Sequence, residues 1–287
     1  MRTQSIDTHP EAERVMIELI RRAPISKRFR LVQSLTQSAL WSSLHAWRGR
    51  HEASEQEAAV HVVSTYYGVS LAQCVQEALE KRESWQMQPI DLMAAMLPAV
   101  RAFDHLGVSS YLAGSIASSL HGMQQLAQDV DLVVDLPASS IAPLLTLLKP
   151  SYALDEDVIR EAVLNRTPCS LIHLDTLLKV DVILPRPSVF ETAMRRLIAA
   201  YTLDGRDPLV RVASACEMIL YKLQRYQRNE RSRSDGMRDD SEWNDILGML
   251  KVQGPALDLV RLERWADALD GAETWHQALV DAGLADA

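Results

Sequence analysis

Residues Tyr111 to Leu136 read YLAGSIASSLHGMQQLAQDVDLVVDL, and this stretch decides the fold. An apolar strand, Tyr111–Ala113, breaks at Gly114-Ser115. A short helix follows over Ile116–His121, and a second strand then carries Asp129-Val130-Asp131. Alternate residues of a strand project from one face, so Asp129 and Asp131 point the same way. No basic residue stands between them in the chain. Two carboxylates a few ångströms apart repel unless a cation separates them or one takes a proton. A hard divalent ion answers that need, held by one or two carboxylates and by substrate phosphates. Gly114 lets backbone approach a ligand closely, Ser115 adds a hydroxyl, and the helix after them offers N–H groups to an anion.

Gly114-Ser115 followed by Asp129-x-Asp131 resembles the signature of the nucleotidyltransferase (DNA polymerase β-like) superfamily. Within it the chain looks most like the AbiEii-type and related toxin-type members. The family's third carboxylate lies on a neighbouring strand, and LIHLDTLLKVDVIL (Leu171 to Leu184) offers Asp181. ASACEMILYKL (Ala213 to Leu223) and SEWNDILGMLKVQ (Ser241 to Gln253) resemble the helical tail, with Lys222 and Asp245 at its late Lys and Asp. The resemblance spans residues 90 to 275. It implies a metal-dependent transfer of NMP from an NTP to a hydroxyl of RNA (a tRNA end, for example) or of a protein. Asp129, Asp131 and Asp181 would hold Mg²⁺ or Mn²⁺, with Asp181 also drawing the proton from the acceptor. Gly114 and Ser115 would bind phosphates, and Lys222 with Arg225 would supply positive charge. The implied setting is a toxin–antitoxin or phage-defence system with a cognate antitoxin protein.

Gln125 and Ala127 stand where related sequences carry Arg and Thr, and Asn244 stands where an Arg precedes the late Asp. Neutral Gln cannot replace the bidentate phosphate contact of Arg. These departures leave a second reading open, a non-catalytic protein that binds nucleotide or a partner through the same cleft. A helical scaffold with an incidental sheet is a third.

Working outward, 287 residues suffice for one large or two ordinary domains, and 47% apolar with 24% charged residues is ordinary globular composition. MRTQSIDTHPEAERV has no apolar core of a secretory signal, and no apolar run reaches the ~18 residues of a membrane helix. Three dispersed cysteines (Cys74, Cys169, Cys216) imply neither disulfides nor zinc, so a reducing cytoplasm is expected, with no membrane partner. A net charge of −8 argues against indiscriminate coating of nucleic acid. Two basic patches remain candidates for local contact: Arg21, Arg22, Lys27, Arg28 and Arg30, and Arg225, Arg228, Arg231, Arg233 and Arg238.

The expected architecture is α+β (α/β), a mixed-sheet nucleotidyltransferase core flanked by helical regions. It divides into an N-terminal helical domain (1–88), the core (89–187) and a C-terminal helical region (188–287). Ser54-Glu55-Gln56-Glu57 predicts a capping box, and Ser70 a second cap. Trp41 and Trp47 read as packing residues, and His45, His51 and His61 as too scattered to bind metal. Pro98 should kink or split the helix between Asp91 and Leu106, which Gly107 ends. Leu171–Leu174 and Lys179–Leu184 predict a hairpin turning at Asp175-Thr176; beyond Pro185-Arg186-Pro187 only helix is expected. Lys222 and Arg225 share a non-core face of one tail helix, and Asp245 points away from the buried stripe of the next. Arg228 to Asp240 reads as a mobile loop. His121 and His173 read as locally bonded side chains.

Overall fold

The computed structural model describes residues 2–4, 7–51, 53–205, 209–232 and 240–285, and it opens with helices as expected. Helix α1 (Pro10–Arg22) begins on a proline, harmless where an N–H would be unpaired anyway, and His9 Nδ1 accepts from the Glu11 N–H at 3.2 Å. Helix α2 (Ile25–Arg48) precedes α3 (Glu55–Tyr67), whose capping box is complete. Ser54 Oγ accepts from Glu57 N–H at 3.2 Å, and Glu57 Oε2 accepts from Ser54 N–H at 2.7 Å. The second expected cap is corrected. Gly68, at φ +95°, both ends α3 and starts α4 (Val69–Glu80), so Ser70 falls inside the helix. A one-residue joint at that φ excludes a side chain, which is why glycine and not serine sets the boundary.

Pro98 does not split α5 (Leu92–His105), whose N-cap Asp91 accepts from Met93 and Ala94. An internal proline costs ~3 kcal/mol, whereas burying Leu92, Met96 and Phe103, all at 0% exposure, contributes about 1.5–3 kcal/mol each. Packing wins. After Gly107 come β1 (Ser110–Leu112), α6 (Gly114–His121), β2 (Asp129–Val134) and α7 (Ile141–Leu148). They are followed by β3 (Tyr152–Ala153), α8 (Glu156–Asn165), β4 (Cys169–His173) and β5 (Lys179–Ile183). The five strands lie in the order β3-β4-β5-β2-β1. Only β2 and β5 run parallel; the other neighbours are antiparallel. The β4–β5 hairpin turns as expected, closed by Leu177 N–H to His173 O at 2.8 Å.

Beyond Pro187 the expectation of helix alone is corrected. Helix α9 (Val189–Met194) gives way to an antiparallel pair, β6 (Ala199–Tyr201) and β7 (Val210–Val212), before α10 (Ala215–Ser232). Strands of three residues are too short to print a period of two on the sequence. Helices α11 (Ser241–Gln253), α12 (Leu259–Ala268) and α13 (Ala272–Ala282) complete a mixed α+β chain. Arg228 and Arg231 belong to α10 rather than a loop; Arg233, Gly236 and Arg238 lie outside the described residues.

Two compact units result. The sheet unit takes Leu31–Ser115 and Leu126–Thr192, and the helical unit takes Met1–Arg30, Ile116–Gln125 and Ala193–Ala287. Val63, Val75, Leu79, Ile172 and Leu177 centre the core of the first, where Trp85 donates to Leu174 O at 2.9 Å. In the second, Lys251 and Glu13 pair at 2.8 Å with both side chains 1% exposed, tying α11 to α1. Arg21 and Arg28 are spent on carbonyls within this unit, Lys251 and Val252 for the first, Ala23 and Leu120 for the second. The early basic patch is therefore partly internal structure. Among the described residues no helix is long and apolar enough to cross a membrane.

Candidate functional site

Strands β2 and β5 bring the acidic residues of the sheet unit together. Their parallel register sets Asp129 opposite Lys179 and Asp131 opposite Asp181. Side chains paired this way share a face, and the period of two adds that Asp129 joins Asp131 and Lys179 joins Asp181. One face of two adjacent strands thus carries three carboxylates and one ammonium. All four residues are half-buried.

The backbone bend at Gly114 sits against this face. Gly114 has φ +61°, and a Cβ built there would lie 2.5 Å from Asp131 Cγ and collide with its Oδ2. Both the conformation and the space exclude a side chain. The Ala113 N–H donates to Asp131 O at 2.9 Å, which fixes the bend to β2. Beside it, Ser115 Oγ is buried and has no hydrogen-bond partner among the described residues. Leaving such a hydroxyl unpaired costs about 1–3 kcal/mol, a need that a ligand oxygen or a water meets.

A basic group stands beside these carboxylates, on the neighbouring strand. Lys179 Nζ lies 2.8 Å from Asp181 Oδ2 and 3.1 Å from Asp129 Oδ2, bridging the two strands. Ser170 Oγ donates to Asp181 Oδ1 at 2.6 Å, and the Tyr67 ring flanks the ammonium, its centroid 5.8 Å from Nζ. The Tyr67 hydroxyl donates to Gln128 O at 2.9 Å, and burial first of all raises its pKa above the usual phenol range. Burial pushes the Lys179 pKa down, but the hydrogen bond and charge of Asp181, with Asp129, outweigh it and leave it raised. Lys179 and Tyr67 escape the sequence reading. The KVD triplet was a usable signal, since Lys179 precedes Asp181 by two as Asp129 precedes Asp131.

The donor set suits a hard cation. It offers carboxylate oxygens on one face, a glycine cradle against Asp131, an unpaired Ser115 hydroxyl, and an ammonium as stand-in charge between Asp129 and Asp181. No group of three His, Cys, Asp or Glu side chains among the described residues is arranged as a preformed metal cage. Asp181 is turned to Lys179 and Ser170 instead.

Lys222 and Arg225 belong to the helical unit. The solvent-facing roles expected for Lys222 and Asp245 are corrected: both are buried and paired at 2.5 Å, with Glu242 2.8 Å from the same ammonium. Helix α11 covers the face of α10 that helical spacing assigns to water. Burial lowers the Lys222 pKa, yet the charges of Asp245 and Glu242 prevail and raise it. Arg225, its side chain 63% exposed, reaches Glu242 Oε1 at 2.9 Å. Ala127 is fully buried, its N–H and C=O both bonded to Thr36 Oγ1, whereas Gln125 is half-buried. Asn244 accepts at its backbone oxygen from Gln4.

His51 and His61 stack on Trp47, with centroids 4.7 and 4.4 Å away, while His45 lies against Trp41. His51, His61 and Trp47 border a surface hollow of about 210 Å³ that also takes in Arg50 and Tyr66. The thiols of Cys74, Cys169 and Cys216 are all pushed up by burial, that of Cys169 to about 12, which suits inert packing.

No family model and no curated protein matches this chain. Among solved structures it is similar to an antigenic nucleotidyltransferase-like protein from Paracoccidioides brasiliensis. The identity is 15% and the TM-score 0.36, over 64% of this chain and 90% of that one.

Proposed function

We propose that the carboxylate face of the sheet unit binds a divalent metal with a nucleoside triphosphate and transfers NMP to an acceptor hydroxyl of RNA or protein, breaking the α–β phosphoanhydride bond and releasing pyrophosphate. The observation that carries this reading is the register of β2 on β5, with Asp129, Asp131 and Asp181 on one face beside the Gly114 bend. Asp129, Asp131 and Asp181 would hold Mg²⁺ or Mn²⁺, which when bound neutralises charge on the triphosphate. The chain's own groups do the rest. Gly114 leaves the Asp131 carboxyl its place against the bend, and Ser115 would supply a donor to a phosphate oxygen. Asp181, steadied by Ser170, accepts the proton of the acceptor hydroxyl. Phosphoryl transfer asks for such alignment and little covalent chemistry. A toxin of a toxin–antitoxin pair, acting in the cytoplasm and restrained by a cognate protein, is the setting that goes with this activity.

One observation favours binding without transfer. Lys179 already neutralises Asp129 and Asp181, and a site meant only to recognise a nucleotide has no need of a proton acceptor. Incubation with Mg²⁺, each labelled NTP and total RNA or lysate separates the two. Label carried to acceptor by the wild type and lost in Asp129→Asn/Asp131→Asn supports transfer. Magnesium-dependent binding with no label moved supports recognition alone.

A further inference from the structure

Among the described residues, Lys251, Lys222 and Lys179 are each held at 2.8 Å or less by a carboxylate and are mostly shielded from water, and they differ in one respect. Lys251 with Glu13 is 1% exposed on both sides, and Lys222 is 8% exposed between two acids that are each 9%. Lys179 retains 19%, with Asp181 at 18% and Asp129 at 27%. The first two are sealed, and a buried ion pair without access to water has no route to exchange. The third keeps its access. It also sits where a bridging cation would, one strand's register opposite Asp129 and two residues ahead of Asp181.

We propose that Lys179 is a resident counter-ion of the carboxylate face, one that a divalent cation must displace before the site is loaded. This rests on the metal–nucleotide reading of that face. A carboxylate oxygen facing an ammonium at 2.8 Å has no room for a metal between them, so the two cations alternate. Free metal therefore competes against a charge held at high local concentration on a flexible stem. A metal that arrives with a triphosphate brings phosphate oxygens as additional ligands, and the balance then favours displacement. Lys179 acts on the carboxylates and not on the reacting atoms, which makes it a positioning residue. Its effect on a metal site is repulsive where a structural lysine would be neutral.

Mn²⁺ titration followed by electron paramagnetic resonance of the free ion reads this out without any turnover. Lys179→Met should bind Mn²⁺ about tenfold tighter than wild type, or more, and Lys179→Arg no tighter than wild type. Equal or weaker binding by Lys179→Met, with wild-type binding measurable, overturns the counter-ion and leaves the metal site standing. Absence of Mn²⁺ binding in both, with native circular dichroism and melting for the variant, removes the metal reading and the counter-ion with it. Should the variant not fold, the wild type supplies the test. Acylation of Lys179 by citraconic anhydride, mapped by mass spectrometry, should rise several-fold at saturating Mn²⁺. Labelling indifferent to the metal contradicts displacement.

Discussion

At Gly114 a hydrogen stands where any other residue would carry carbon, and the Asp131 carboxyl fills the space so left. Gly114→Ala therefore meets two penalties at once. Left-handed backbone costs an L-residue about 1–2 kcal/mol, and the new methyl drives Asp131 off its place on the face. Urea unfolding should show a loss of about 1–3 kcal/mol, and binding of a magnesium–nucleotide complex should fall at least tenfold. Unchanged stability would show that the bend tolerates a side chain. The acidic residues themselves were legible in the sequence, because alternation on a strand needs no tertiary knowledge. Applied to β5, the same alternation would have exposed Lys179 beside Asp181. The burial of Lys222 and Asp245 was not legible, since each helix read alone assigns them to water and only α11 packed on α10 covers them.

Elements were legible where a local chemical device marks them. Ser54 with Glu57, and Asp91, cap their helices through short side chains to backbone N–H groups, and the β4–β5 turn closes within a few residues. β6 and β7 had no such mark, and a glycine joint displaced the cap expected at Ser70. Two elements also end in buried imidazoles. His121 closes α6 with Nε2 2.7 Å from Ala213 O, and His173 ends β4 with Nδ1 2.9 Å from Thr176 Oγ1. Burial lowers both pKa values from the ordinary 6.5. The Ala213 carbonyl opposes it at His121, as the Asp175 charge does at His173. The unfolded chain thus takes up protons that the folded state refuses. The stability is fully present above pH 6.5 and is lost as the pH falls toward the lowered folded values. The slope reaches at most about 1.4 kcal/mol per pH unit for each histidine. Urea unfolding at pH 7.5 and 5.5 should show the wild type weaker at the lower pH and His121→Gln/His173→Gln less dependent on it. Wild-type stability equal or greater at pH 5.5 contradicts this.

For the molecule as a whole, a net charge of −8 conceals how the lysines are used. Removing one partner from a sealed pair such as Glu13–Lys251 strands a buried charge, so those pairs belong to folding. The carboxylate face differs by keeping access to water, with its carboxylates placed by two paired strands, and such placement is what the proposed phosphoryl transfer would use. On the proposed function, this face captures a metal–triphosphate. Calorimetric titration with the magnesium complex of a non-hydrolysable NTP tests that most directly, beside Asp131→Asn and beside wild type in EDTA. Binding by the wild type that disappears in EDTA and weakens at least about tenfold in Asp131→Asn is the predicted result. Binding of equal strength in all three, or in none, would contradict it.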